Sequence, residues 1–312
     1  SRGVLVERGL RNSNPCAATD NVGNISGVAT SDGITIDMVG PVISNVLEGS
    51  TEQDLDYQQS STELIIAWTW SDENLINFNS RDITGFRVSL GTSPGDSNTV
   101  NWTDVGNVST YTFTNLNLIE TVTYYASVQA QDMAGNMSDI YTGDGITIDQ
   151  SGPEPGQVND GSGQDINWVN IDYSVDANWT VFTDTLSGVV EYWLSIGLSP
   201  GQTQVMDWTS NGLDTTFTAA LELTEGPTYY INVYAIDSVG NTSAIISSDG
   251  FGIDLDSPLA GTVFDGQTVD LNWTNNESTL SANWSGFSDA TSSIANFEYS
   301  IEIGRASCRE RV

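Results

Sequence analysis

The chain has no histidine and no lysine, and its 312 residues include only two cysteines. Between Arg87 and Arg305 there is no cationic side chain at all. Without histidine, lysine or a central cysteine, the usual general bases and nucleophiles are missing. Paired carboxylates remain available for glycosidase-type chemistry. No motif marks out such a pair, so the chain reads as non-enzymatic. The cysteines stand at 16 and 308, which leaves the region between them without disulfide staples. No run of about eighteen apolar residues occurs, so no membrane insertion is expected. What the chain does have is acid: 41 Asp and Glu against 8 basic residues, a net charge of −33. That charge repels nucleic acid and anionic lipid and attracts cations. It suits salty surroundings or bound divalent ions. Hydrophobic residues make up 38% and charged residues only 16%, which is the profile of a chain that builds cores rather than a disordered one.

The sequence repeats. Ser31–Asp37 (SDGITID) returns as Gly143–Asp149 (GDGITID) and as Ser248–Asp254 (SDGFGID), so that Asp37, Asp149 and Asp254 lie 112 and 105 residues apart. The loops Asp20–Asn24, Asp132–Asn136 and Asp237–Asn241 keep the same offsets. So do Thr123–Tyr125 with Thr228–Tyr230 and Asn178–Trp179 with Asn283–Trp284. A period near a hundred residues is a domain, not a solenoid unit. The expected organisation is a C-terminal remnant of one repeat at 17–37, complete repeats at 38–149 and 150–254, and the N-terminal part of another at 255–301. Residues 1–16 match no part of the repeat and look non-native. Residues 302–312 resemble a translated synthetic sequencing adapter and are set apart from the fold. The sequence thus reads as a fragment cut at both ends.

Apolar residues alternate with polar ones. Tyr229, Ile231, Val233 and Ala235 share one face of an extended segment, and so do Tyr124, Ala126, Val128 and Ala130. Further strands are expected at 64–69, 86–90, 110–113, 171–179, 190–196, 215–220 and 278–284, with Gly, Asn, Asp and Pro between them. Many short strands in each hundred residues imply an all-β fold of tandem antiparallel sandwiches. The pattern Leu223, then Tyr229-x-Ile231-x-Val233-x-Ala235, resembles the fifth and sixth strands of a fibronectin type III (Ig-like) domain, and Leu118 with Tyr124 to Ala130 repeats it. The resemblance is nearest to tandem repeats of large secreted or surface bacterial proteins. It implies that Tyr124 and Tyr229 cap backbone at a corner between sheets, and that Trp68 (or Trp70), Trp179 and Trp284 fill the core.

Several residues are candidates for more than packing. Asp37 and Asp149 each precede a proline by four residues, and Asp254 and Asp256 precede Pro258. With a loop acid such as Asp237, these acids offer the oxygen donors that calcium prefers, and an ion there would stiffen the string. No other cofactor is expected. The alternative is a proline-limited linker with incidental acids. The Asp-x-x-Gly-Asn loops read first as turns. Trp102, Trp168, Trp208 and Trp273 are expected either to stack on sugar rings or to cover sheet edges. The expected function is a non-enzymatic spacer or stalk of monomeric beads in a longer extracellular or cell-surface protein, with room for an adhesion role toward glycan or a surface protein. The alternative is a carbohydrate- or protein-binding accessory module of a secreted hydrolase.

Overall fold

A computed structural model describes residues 11–72 and 83–301. The tail 302–312, with Cys308, lies outside the described residues, as do residues 1–10 of the N-terminal flank. The described residues contain strands and no helix, so no helix among them is long and apolar enough to cross a membrane. The chain divides into two compact units. One comprises Ser1–Pro153, Thr183–Val189 and Ile236–Ser243, and the other Glu154–Phe182, Val190–Ala235 and Ala244–Val312.

The first set of strands is β1 (Val42–Glu48), β2 (Leu64–Ser71), β3 (Ile83–Gly91), β4 (Val100–Gly106), β5 (Thr110–Phe113), β6 (Thr123–Asp132) and β7 (Ile146–Ile148). One sheet has the order β5-β2-β1 and the other β7-β6-β3-β4, with the two-residue strand Tyr57–Gln58 added parallel to β7. Successive side chains on a strand point to opposite faces. Leu64, Ile66 and Trp68 therefore enter the core from one sheet, and Ala126, Val128 and Ala130 from the other. They meet in one buried cluster, with the Trp68 and Phe86 rings 5.3 Å apart. Trp68 is buried, whereas Trp70, two residues on and on the same face, packs only at the margin of the cluster. Two facing sheets of this strand order form a fibronectin type III-like sandwich.

The same order returns with β8 (Val158–Asp160), β9 (Val175–Trp179), β10 (Val189–Gly197), β11 (Met206–Gly212), β12 (Thr216–Ala219), β13 (Thr228–Asp237) and β14 (Phe251–Ile253). Here the sheets run β12-β9-β8 and β14-β13-β10-β11, and Trp168–Val169 adds parallel to β14. Trp179 and Tyr229 are buried, and Trp179 lies edge-on to Tyr192 at 5.7 Å. The Tyr229 hydroxyl accepts from the Thr224 N–H at 2.9 Å and donates to the Thr224 carbonyl at 3.0 Å. The Tyr124 hydroxyl accepts from the Ile119 N–H at 2.9 Å. Each tyrosine thus buries its ring and uses its polar tip to satisfy backbone at the corner.

One segment shows pairing that its sequence does not announce, and one residue departs from the sequence expectation. Residues 11–16 pair with the repeat remnant: Asn12 lies opposite Ile34 and Pro15 opposite Thr30. Tyr124–Ile146 and Ser127–Thr142 make the same pairings one repeat later. Strand pairing uses the main chain, so it survives where the side-chain pattern is lost. Trp284 is half-buried rather than a core residue. Strand β15 (Thr262–Asp265) pairs with β16 (Ala282–Ser285), which carries this tryptophan. Among the described residues of 255–301 these two strands form the only sheet. The Phe297 and Tyr299 rings lie 5.5 and 6.0 Å from the Trp284 ring.

Urea unfolding tests the corner and the core. Tyr229→Phe leaves the Thr224 N–H without its acceptor and is expected to cost about 1–3 kcal/mol. Trp179→Ala opens a cavity and is expected to cost about 3–5 kcal/mol. Equal unfolding midpoints for Tyr229→Phe and the parent chain would show that the hydroxyl is dispensable.

Candidate functional site

The Asp-x-x-Gly-Asn loop is held by a side-chain clasp. Asp132 accepts from the Asn136 N–H and from Asn136 Nδ2, both at 2.8 Å. Asp237 and Asn241 repeat both contacts at 2.8 Å, and Asp20 and Asn24 do so again. These loops are turns, as their residues suggest. In addition, Asp132 and Asp237 are almost fully buried and have acidic neighbours. One carboxylate oxygen from each of Asp149, Asp184 and Asp237 lies within 4.8 Å of the others, and Asp37, Asp72 and Asp132 form the same group one repeat earlier. All six residues belong to the first unit.

Each acid reaches the group for a local reason. Asp149 directly follows β7 and is fully buried. Its two oxygens accept from the Ser151 N–H at 3.3 Å and the Ser187 N–H at 3.2 Å. Asp184 follows the tryptophan strand β9, and one of its oxygens accepts from the N–H groups of Leu186 at 2.9 Å and Gly188 at 3.0 Å. Asn241 Nδ2 donates to the Asp149 carbonyl at 3.1 Å, which ties the linker to the loop. Three carboxylates this close repel by roughly 3 kcal/mol per pair at an effective dielectric of about 20. At Asp149, Asp184 and Asp237 no arginine among the described residues offsets this. The one described cationic side chain, Arg87, is engaged with Gln129 and lies over the Trp102 ring at 4.9 Å. In Asp149, Asp184 and Asp237, two buried acids and one half-buried one bring three carboxylate oxygens together, and an all-oxygen donor set of this kind fits a hard divalent cation such as calcium.

The structure corrects the expected membership. It places Asp37 and Asp149 in triads, but Asp254 and Asp256 do not join Asp237. β14 pairs with the beginning of β13, Tyr229 opposite Phe251. Asp254 therefore leaves beside the start of β13, whereas Asp237 closes the other end of that strand. Asp256 is exposed, and its N–H donates to Asp254 Oδ1 at 3.1 Å. Asp72 and Asp184 are the acids that the linker reading misses. The repeat spacing that relates Asp37 to Asp149 also relates them.

A second acidic group is built on β1. Glu48 is fully buried. Its Oε1 accepts from the Ala126 N–H at 2.6 Å and its Oε2 from the Gly145 N–H at 2.7 Å. Gly145 holds a φ of +101°, and a Cβ there would press on the Tyr125 ring, which accounts for the glycine in the recurring block. Burial pushes Glu48 up to about 7, helped by the charges of Asp54 and Asp144 and opposed by the two N–H donors. Asp160 in the second unit is likewise pushed up by burial, to about 6.

The extra tryptophans have different surroundings. Trp208 lies edge-on to Tyr234 at 4.8 Å, and Tyr234 stacks on Trp193 at 6.4 Å, so these rings cover the outer face of their sheet. Trp168 is half exposed and lies against Gly252, where a Cβ would meet its ring. Trp273 is almost fully exposed.

No protein-family model matches the sequence, and no curated protein matches it. A comparison of folds finds the crystal structure of chicken CNTN1 FN1-FN3 domains, at 17% identity and a TM-score of 0.33, covering 75% of this chain and 76% of that one.

Glu48 makes a pH prediction. Its folded pKa of about 7 lies above the ordinary 4.5, so the fold favours the protonated form. The stabilisation is complete below the ordinary value and is lost as pH rises through the folded one. With no histidine to titrate there, thermal unfolding in chelator is expected to show stability falling toward neutrality. Glu48→Gln is expected to remove the part of that slope nearest neutral pH. An unchanged slope in the variant would contradict the assignment.

Proposed function

We propose that the chain is a non-enzymatic repeat region, a calcium-stiffened spacer in a large secreted or cell-surface protein. Residues 38–149 and 150–254 are its complete beads, monomeric and joined in series. One observation supports the reading above all. An acid that ends one repeat comes together with two acids from loops of the next, and it does so twice at the repeat register, in Asp37/Asp72/Asp132 and Asp149/Asp184/Asp237. A divalent ion bound to both linker and loops would fix the bend and rotation of the joint, so that the length of the string is set by the number of beads. A role in adhesion to glycan or protein, or as an accessory to a secreted hydrolase, would be carried on beads held apart in this way.

Calorimetry and small-angle scattering test the proposal together. Calcium at about a hundred times its dissociation constant is expected to add about 2.7 kcal/mol per site, raising the melting temperature and extending the chain relative to chelator. Asp184→Asn is expected to abolish both effects at its joint. A melting temperature and a radius of gyration that ignore calcium would overturn the proposal.

A further inference from the structure

The second unit holds an acidic group outside the joints. Asp160 ends β8 and is fully buried. Its Oδ2 accepts from the Gly250 N–H at 3.0 Å. The Ser248 hydroxyl lies close enough to favour the charged carboxylate, yet Oδ1 is buried with no hydrogen-bond partner. Asp165 Oδ1 accepts from the Asp160 N–H at 3.0 Å. One carboxylate oxygen from each of Asp160, Asp165 and Asp249 lies within 4.8 Å of the others. Asp165 and Asp249 are exposed, so the group opens to solvent.

The unpartnered oxygen has a structural origin. In the first unit Glu48 holds the corresponding place and spends both oxygens, on the Ala126 and Gly145 N–H groups. Aspartate is one methylene shorter. At Ile231, the counterpart of Ala126, the N–H is instead accepted by the Ser248 hydroxyl at 3.0 Å. The counterpart of Ser248 is Gly143, where a Cβ would press on Glu48 Oε2. The pair Glu48 with Gly143 is thus exchanged for Asp160 with Ser248. The serine takes over one donor, and Asp160 keeps an oxygen that no donor satisfies. A buried carboxylate oxygen in that condition costs free energy unless something positive meets it.

We propose that Asp160, Asp165 and Asp249 form a divalent-cation site of the calcium type, with Asp160 Oδ1 as its buried ligand and the two exposed carboxylates closing it from the solvent side. Hard oxygen donors with open positions for water suit that ion. The site shares no residue with the joint triads and does not depend on them.

Isothermal titration of the full chain with calcium tests this, after chelator treatment and in about 150 mM KCl, where diffuse ion attraction is screened. Asp160→Asn and, separately, the surface change Asp249→Asn are each expected to remove one bound ion or to weaken it by about tenfold or more. Both should do so in the parent chain and in a chain carrying Asp184→Asn and Asp237→Asn. Near-ultraviolet circular dichroism checks that each variant is folded; should Asp160→Asn fail that check, Asp249→Asn decides. Glu48→Asp with Gly143→Ser is expected to add one ion. If a folded Asp249→Asn chain binds the same number of ions as the parent with the same affinity, the site does not exist. If Asp184→Asn loses an ion while Asp249→Asn loses none, the joint proposal stands and this one falls. The reverse pattern removes the joint site and keeps this one.

Discussion

Buried carboxylate held by main-chain N–H groups is the constraint around which these sandwiches are arranged. A protein with lysine and arginine at hand pairs such acids with them. Here the acids turn to main-chain N–H groups: Glu48 to Ala126 and Gly145, Asp237 to Val239 and Asn241, Asp149 to Ser151 and Ser187. Hydrogen bonds of this kind favour the charged form, and burial opposes it. At Glu48 burial wins. At Asp149, Asp184 and Asp237 the backbone donors leave three carboxylate oxygens close together, and the proposed divalent site rests on that arrangement.

The hydrophobic scaffold makes that arrangement reproducible. Alternating inward side chains close two sheets on one another, and corner tyrosines such as Tyr229 fix where the chain turns. Strand ends then fall at set positions. An acid leading into a bead and an acid after its tryptophan strand land together in each copy. The 255–301 segment shows the converse. With a single pair of strands among its described residues, it leaves Trp284 only half covered.

Much of this is legible in the sequence, and the limits have physical causes. Full strands with one buried face, such as Thr228–Asp237, announce themselves by period two. The edge strands Val100–Gly106 and Met206–Gly212 do not, because their side chains are exposed or half-buried on both faces and little apolar alternation is required of them. The three-residue strands Ile146–Ile148 and Phe251–Ile253 are too short to show a period and are visible only as the recurring block. Linker acids point toward cation binding, but the triads draw on three separated segments, and only the fold brings Asp184 to Asp149. Asp254 misleads because a proline spacing says nothing about which end of a sandwich a strand leaves from. The exchange of Glu48 and Gly143 for Asp160 and Ser248 sits in plain view in the aligned copies, yet it has no meaning until the two side chains are seen to share one space.

Whether the buried acids at the joint hold an ion decides between a stiffened string and a merely acidic one. Crystals grown with calcium, with diffraction recorded at a wavelength where calcium scatters anomalously, give the direct answer. An anomalous peak is predicted, bonded at about 2.3–2.6 Å to oxygens of Asp149, Asp184 and Asp237, the distances calcium takes with such ligands. Water alone among those three carboxylates, in crystals that show calcium elsewhere, would contradict it.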